Sequence, residues 1–585
     1  MNYKELWRSL FERRFNLPKE RPIQRTIRSF TLAEKSFFYF FVIVFIVSGL
    51  TLVFKVSSAF LVEVPSRGGT LTEGVIGNPR FINPVLALSE ADKNLTSLVY
   101  SGLIRLTPTG EVVNDLAQNL DISTNRLTYT VTLKEDVKFH DGKPVTADDV
   151  IFTIQKITDP LVKSPKRGNW DGVVVNKIDD LTVSFTLKKV YTPFIYNLTT
   201  GILPRHIWKN VTDDEFSFSQ FNTLPVGSGP YKIDTVERNS GGIPDYYKLV
   251  PSYNSFSNKP YISNLVFKFY SNEESLVDAY NSGKVDSLSG VSPDKLLELN
   301  VHSAQVIQSP LPRVFAVFFN QAESKVLLNK EVRQALNLAS PRTKIVENVL
   351  GGYGVTIEGP LPGGLYPWTS KNEGNDLLEN IIKAKEILDK SGWKPNTETG
   401  ILEKKSGSGT IDLSFSISTG DAPELRAVAE ELKSAWEKLG ANVQIKVFET
   451  GDLNQNVIRP RNFEALLFGV VIGRDADLYP FWHSSQRNDP GLNIALYANT
   501  QADSFLDKAR ISENPDALEK NLKDFANEIK NDVPAVFLYT PSFIYVLPNK
   551  VKAQEIGLLT VAQDRFLGIR DWYIETDKVW KIFAE

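Results

Sequence analysis

Cysteine does not occur among the 585 residues. Disulfides, thiolate-held metals, a thiol nucleophile and a cysteine-borne lipid anchor are therefore excluded. Histidine is nearly as scarce: His140, His206, His302 and His483 are scattered, with no pair at the i, i+3 or i, i+4 spacing of helical metal sites. No H-E-x-x-H, G-x-S-x-G or G-x-x-x-x-G-K-[ST] pattern is present, so zinc-protease, serine-hydrolase and P-loop chemistries lack their signatures. The cluster Gly351-Gly352-Tyr353-Gly354 follows a helical pattern instead of joining strand to helix, which argues against a phosphate cradle. Repeats of 20–50 residues and long low-complexity tracts are missing too. No cofactor, no metal and no enzymatic activity are expected from this inventory.

What is present is a globular composition, 42% apolar and 11% aromatic. At this length one hydrophobic core does not suffice, so two or more lobes are expected. Residues 36–54 read SFFYFFVIVFIVSGLTLVF without a charge between Lys35 and Lys55. At ~1.5 Å per residue the run spans roughly 28 Å, about the hydrocarbon thickness of a bilayer. The preceding tail carries nine basic against four acidic residues, a balance of +5, leaving −8 of the net −3 for the rest. The positive-inside rule then predicts a cytoplasmic tail (1–35), a transmembrane helix (36–54), a linker (55–67) and an extracytoplasmic remainder. The basic stretch before the apolar run is long for a signal peptide, which favours an uncleaved anchor, although Ser57-Ser58-Ala59 has cleavage-site character. Tyr3, Leu6, Trp7, Leu10, Phe11 and Phe15 fall at helical spacing, a pattern for a membrane-surface or partner-binding helix. The acidic outer part has the wrong sign for nucleic acid.

Strand and helix patterns alternate beyond the linker, predicting a mixed α/β fold. Period-two alternation marks strands at 127–133, 183–187, 266–269 and 314–319. The clearest unit predicts a strand at 411–417, a helix opened by an Asp421/Glu424 capping box with Pro423 in its first turn, a stop at Gly440 and a second strand at 443–448. That is a βαβ unit with a parallel pair. Helices are further expected around 331–339, after Ser340-Pro341, and along Leu518, Leu522, Phe525, Ile529 and Val533, before a strand at 535–547.

The stretch KFHDGKPVTADDV (138–150) concentrates a histidine and three aspartates. Asp141-Gly142 is a turn signal, and Thr146 can cap a helix whose first turn places Asp148 and Asp149 at its positive dipole end. Capping accounts for both carboxylates without catalysis, and His140 is read as a hydrogen-bonding residue.

The run from Tyr129 to Gly142, continued by Thr146-Ala147-Asp148-Asp149-Val150, resembles the signature of the peptide/nickel/opine (family 5) extracytoplasmic solute-binding proteins of ABC transporters. PVGSGPY at 225–231 resembles that family's P-V-G-T-G-P-Y turn, with Ser for Thr. Phe318-Phe319-Asn320, VRQALN at 332–337, VENVLGGY at 346–353, Leu496-Tyr497-Ala498-Asn499 and residues 535–541 also match, so the likeness covers about 68–548. The resemblance implies a two-lobed, type II periplasmic-binding-protein-like fold closing on its ligand by hinge motion. It places lobe I at 68–314 with an inserted subdomain at about 111–224, lobe II at 315–535 and a return to lobe I at 536–585, with crossing strands around 313–320 and 533–540.

It also implies a peptide held as an extended strand through its backbone, with an acidic residue anchoring its α-amino group. The matching stretch is GRDADLYPFWHS (473–484), making Asp475 or Asp477 the candidate; helix capping is the alternative role for each, and Ala476 stands where the family usually has Pro. Phe81, Asn83 and Pro84 resemble the family's F-N-P loop at the cleft, and Tyr479, Trp482 and Trp368 are candidate pocket aromatics. A membrane-anchored, monomeric binder delivering oligopeptides to an ABC permease and its ATPase subunits is expected. The alternatives are a surface sensor not coupled to transport, or a binder of chelated metal, haem or oligosaccharide.

Overall fold

The strand Ala535–Pro548 joins two halves of one long sheet. Its sequence, AVFLYTPSFIYVLP, is apolar almost throughout, as a strand buried on both faces requires. The computed structural model describes residues 26–252, 259–369, 377–407, 409–473, 475–552, 556–557 and 559–583. Residues 535–539 pair antiparallel with Arg313–Phe319, and residues 542–548 pair antiparallel with Ala304–Pro310. The Leu311 N–H donates to the Pro541 carbonyl at 2.9 Å, so the two segments passing between the halves run side by side.

The first half carries Gly68–Ile76, parallel to both Ile262–Tyr270 and Ser287–Ser289, and continues outward through Pro244–Pro251 and Tyr231–Arg238. A separate four-stranded antiparallel sheet, formed by Ala117–Ile122, Thr128–Leu133, Thr182–Thr186 and Val174–Lys177, shares its hydrophobic core. The second half carries Ser414–Gly420 between Asn442–Phe448 and Ala465–Val471, parallel to both. Its two hydrophobic clusters draw on residues 314–539. The result is a two-lobed α/β fold.

Of the described residues, 26–66 with 576–583 form a compact unit distinct from 67–575. Within it, the Thr31 N–H and hydroxyl both donate to Glu34 Oε2, at 2.8 and 2.9 Å, a capping box that starts the helix Leu32–Ala59. That helix has 28 residues, about 42 Å at ~1.5 Å per residue, and its stretch Leu32–Leu52 is long and apolar enough to cross a membrane. The expected linker is corrected. Helix continues through Ala59, and Leu61–Ser66 forms a strand paired with Glu575–Trp580, to which the β-branched Val62 and Val64, flanking Glu63, are suited. The patterned aromatics of residues 3–15 lie outside the described residues.

The βαβ unit is present, with its helix at Pro423–Glu437 and Gly440 left-handed (φ +92°) beyond its end. Two details differ from expectation. Ala422, not Asp421, is the N-cap, and no side chain caps it. The predicted strand at 411–417 is two strands: Gly409–Asp412 belongs to a hairpin with Leu402–Ser406, and Ser414–Gly420 enters the main sheet. Leu413 turns the chain between them, fully buried with its N–H on the Leu402 carbonyl.

Thr146 is the N-cap of the helix Ala147–Thr158, as expected, and the Asp149 carboxylate adds a reciprocal bond that the sequence reading did not foresee, accepting the Thr146 N–H at 2.9 Å. His140 binds the PVGSGPY loop: Nε2 lies 3.1 Å from the Gly229 carbonyl, and Nδ1 accepts the Gly227 N–H at 3.3 Å. A Cβ at Gly227 would collide with the Val99 carbonyl, so that loop needs glycine to pack this closely. Burial pulls the His140 imidazole down to about 4. The unfolded chain therefore takes up the proton first, near pH ~6.5, and stability conferred by neutral His140 is complete above that pH and lost as pH falls toward 4. His140→Gln is expected to flatten this part of a pH–stability curve measured by chemical denaturation. An unchanged slope between pH 6.5 and 4 would refute the assignment.

Candidate functional site

A cavity of about 1040 Å³ opens between the lobes. The first lobe contributes residues around 168–173, 187–199 and 560–564; the second contributes Gly473, Asp475, Asp477, Tyr479, Pro480, Asp507, Arg510 and Ile511. Such a volume sits at the upper end of the ~300–1,000 Å³ typical of small-ligand sites.

The two candidate aspartates, only two residues apart, differ in environment. Asp477 is satisfied within the protein. Arg510, the last residue of the helix Thr500–Arg510, donates to both its oxygens: Nε lies 3.1 and 3.0 Å from Oδ1 and Oδ2, and Nη2 lies 2.7 Å from Oδ2. The Tyr191 hydroxyl from the first lobe donates to Oδ2 at 3.3 Å, and the Tyr479 N–H to Oδ1 at 3.1 Å. The Tyr479 bond is an Asx turn leading into the short helix Tyr479–Trp482, whose N-cap is Leu478 and carries no side-chain cap, so the capping role foreseen for the aspartates is not filled here. Arg510 lies 3.9 Å over the Tyr479 ring, whose other neighbour is His483, stacked at 4.0 Å between centroids.

Asp475 has no such partner. Among the described residues no cation pairs with it, and its nearest hydrogen bond, from the Asp477 N–H to Oδ1, is long at 3.4 Å. Its carboxylate folds back over Gly473, where a Cβ would collide with Oδ1. Burial pushes the Asp475 carboxyl above its ordinary range, and the Asp477 charge adds to the shift. Ala476 between them is left-handed at φ +52°, a conformation closed to proline, whose φ is fixed near −65°. The departure from the family pattern is thus built into the turn that aims Asp475 at the cavity.

The other predicted residues divide. Tyr479 lines the cavity. Trp482 does not: it is 1% exposed in the second-lobe core, against Phe318, Tyr497, Phe525 and Phe537. Trp368 stacks on Tyr366 and donates its indole N–H to Glu519 at 2.9 Å, outside the cavity lining. Asn83 is fully buried, donating to Asn222 Oδ1 at 2.9 Å and accepting the Val85 N–H. The Phe81 N–H donates to Asp92, and its ring packs on the first-lobe core. Neither residue lines this cavity, and both are engaged in first-lobe packing, while Pro84 of the same loop lines a smaller first-lobe cavity. Sequence reasoning missed Tyr191 and Arg510, which sit in no motif.

Three first-lobe side chains reach across the cleft. Arg126 donates to the Ile511 and Ser512 carbonyls at 2.7 and 3.2 Å, Thr192 to the Ser512 carbonyl at 3.1 Å, and Tyr191 to Asp477. These carbonyls lie just past the end of Thr500–Arg510, where helices leave acceptors unpaired.

The profile described as "Bacterial extracellular solute-binding proteins, family 5 Middle" matches residues 111–489. The oligopeptide-binding protein AppA of Bacillus subtilis (strain 168) is 29% identical over 497 residues, covering 83% of this chain and 89% of its own length. The probable D,D-dipeptide-binding periplasmic protein DdpA of Escherichia coli (strain K12) is 24% identical over 500 residues, covering 82% and 90%. The solved structure of Bacillus subtilis AppA in complex with a nonapeptide gives a TM-score of 0.65 at 27% identity, covering 88% of this chain and all of that one. The unliganded open form of the murein tripeptide-binding protein MppA gives 0.72 at 20% identity, a likeness of fold. Signature stretches, two-lobed sheet and profile agree: the chain belongs to family 5 of the bacterial extracellular solute-binding proteins.

Proposed function

We propose that this protein captures oligopeptides in its interlobe cleft, anchoring the peptide's α-ammonium on Asp475, and passes them to an ABC-transporter permease. One observation carries the reading. Asp475 is a partly buried carboxylate on the cavity wall with which no described cation forms an ion pair, Arg510 acting on it only at a distance, two residues from an aspartate that Arg510 pairs directly. A charge left unpaired in a cleft is costly, and an incoming ammonium supplies the missing partner. The peptide-binding names of the relatives point the same way. No catalytic constellation enters this account; the chain acts as a binder.

The helix Leu32–Ala59 is proposed as an uncleaved anchor with the basic tail in the cytoplasm. It would hold a monomeric binding domain beside the permease and raise its local concentration there. The proposed boundaries are those of the crossing segments: lobe I to about 314, lobe II to about 535, and the return to lobe I through Glu575.

Calorimetry of the full chain in detergent, with one peptide in free-amine and N-acetylated forms, tests the reading. The free amine is expected to bind about a hundredfold more tightly; equal affinities would sink it. The cross-cleft bonds of Arg126 are expected to hold the liganded state closed. Hydrogen bonds from a charged donor contribute about 1.5–3 kcal/mol, so Arg126→Ala should speed peptide release at least tenfold in stopped-flow. A rate within twofold of the parent protein would show that this contact does not hold the lobes together.

A further inference from the structure

Beneath the cleft the first lobe contains a second cavity of about 280 Å³, which shares Leu106, Thr199, Gln563 and Asp564 with the interlobe cavity. Its charged lining is mostly basic: Lys93, Arg105, Lys166 and Arg570 against Asp115 and Asp564. Both acids are engaged. Asp564 accepts the Thr560 and Val561 N–H groups at 2.8 and 3.2 Å, and Arg570 Nη2 lies 3.6 Å from Asp115 Oδ1. The two lysines have no such counterpart. Among the described residues neither Lys93 nor Lys166 has an acidic partner, and the Lys166 ammonium meets the Thr200 hydroxyl at 3.5 Å.

The same lining leaves hydrogen-bonding capacity unused. The hydroxyls Thr96 Oγ1, Tyr100 OH and Ser101 Oγ are buried without a hydrogen-bond partner among the described residues. Tyr100 and Ser101 are 5% and 3% exposed. Orphaned buried polar groups are rare in native proteins, a few per hundred residues, and here three hydroxyls belong to the lining of one cavity. Burial keeps the Tyr100 phenol protonated, so it offers a donor. Two uncompensated ammoniums beside unspent hydroxyls are the complement of a carboxylate.

We infer that this first-lobe cavity is a subsite for a carboxylate of the bound peptide, held chiefly by Lys93 and Lys166. The inference rests on the peptide-binding reading and adds a charge preference to it. The carboxylate comes from the peptide's C-terminus or from an acidic side chain. Burial and the like charge of Lys93 pull the Lys166 ammonium down to about 8; a carboxylate beside it raises it again.

Calorimetry of the full chain in detergent with matched peptides tests this: free acid against C-terminal amide, and internal Glu against Gln. Removing the carboxylate that occupies the subsite is expected to weaken binding at least tenfold, and less than twofold in Lys166→Met. The amide pair reports a C-terminal source and the Gln pair a side-chain source. In parallel, the lysine ε-carbon resonance absent from Lys166→Met is titrated by NMR with and without glutarate, a dicarboxylate lacking an amine. Its midpoint should move upward by about one pH unit. Four peptides binding within twofold of each other overturn the inference. If no peptide binds, the peptide reading fails; the carboxylate site then stands if glutarate moves the midpoint and falls if it does not.

Discussion

Asp475→Asn is expected to weaken binding of a free-amine peptide about a hundredfold while leaving the protein as stable as the parent or more so. The two halves of that expectation have one cause. A carboxylate whose pKa is raised in the folded state confers stability that is complete below its unfolded value and lost as pH rises through its folded value. With Asp475 raised by burial and by Asp477, the ionised side chain is a burden on the folded protein at neutral pH. Asparagine removes that burden. It also removes the partner of the ligand's ammonium, and truncating one member of an enclosed charge pair costs about 2–5 kcal/mol, or at ~1.4 kcal/mol per tenfold a factor of about 30 or more. Asp477→Asn should behave in the opposite way. It strips a two-point acceptor from Arg510 and lowers stability, whereas the amine preference persists through Asp475. Calorimetry and thermal unfolding on the two variants separate the roles. Loss of both stability and affinity in Asp475→Asn would mean the residue is structural.

The second large effect concerns the first lobe alone. Arg565→Met is expected to cost about 3–5 kcal/mol of stability, the usual consequence of leaving one member of a buried ion pair unpaired. Arg565 and Glu73 have 0% and 3% side-chain exposure, with Arg565 Nη2 2.9 Å from Glu73 Oε1. Arg565 also donates to Asn94 Oδ1 and the Ala562 carbonyl, while the Tyr545 and Ser287 hydroxyls donate to Glu73. The cluster ties the segment near 565 to the strands Gly68–Ile76 and Ala535–Pro548. Replacing both charges, Glu73→Met with Arg565→Met, should cost less than the sum of the single changes, since a matched apolar pair leaves nothing unpaired. A single-variant loss below about 1 kcal/mol, by urea unfolding, would contradict the proposed role.

Local physics made much of the fold legible. The apolar run at 36–54, the βαβ unit ending at Phe448 and the Thr146 N-cap each rest on residues close in sequence. The errors arise where distant residues decide. The pattern at 411–417 is continuous, but pairing with Leu402–Ser406 takes its first part into a hairpin. Asp421 and Glu424 have capping-box spacing, yet the helix starts one residue later. At the site, the motif narrowed the proposed anchor to two aspartates and could go no further. The choice depends on Arg510, 33 residues beyond Asp477, and on Tyr191 from the other lobe, neither marked by pattern. Trp482 shows the reverse problem: its place beside the candidate aspartates suggested a ligand contact, whereas one helical turn carries its side chain into the core. Asn83 is similar, its amide committed to Asn222 across 139 residues.

Native mass spectrometry of the full chain, released gently from detergent, tests the central claim most directly by showing what the cleft retains. The account predicts a heterogeneous set of peptides with free N-termini, lost in Asp475→Asn. A single glycan or metal chelate in the parent protein, retained in that variant, would contradict it.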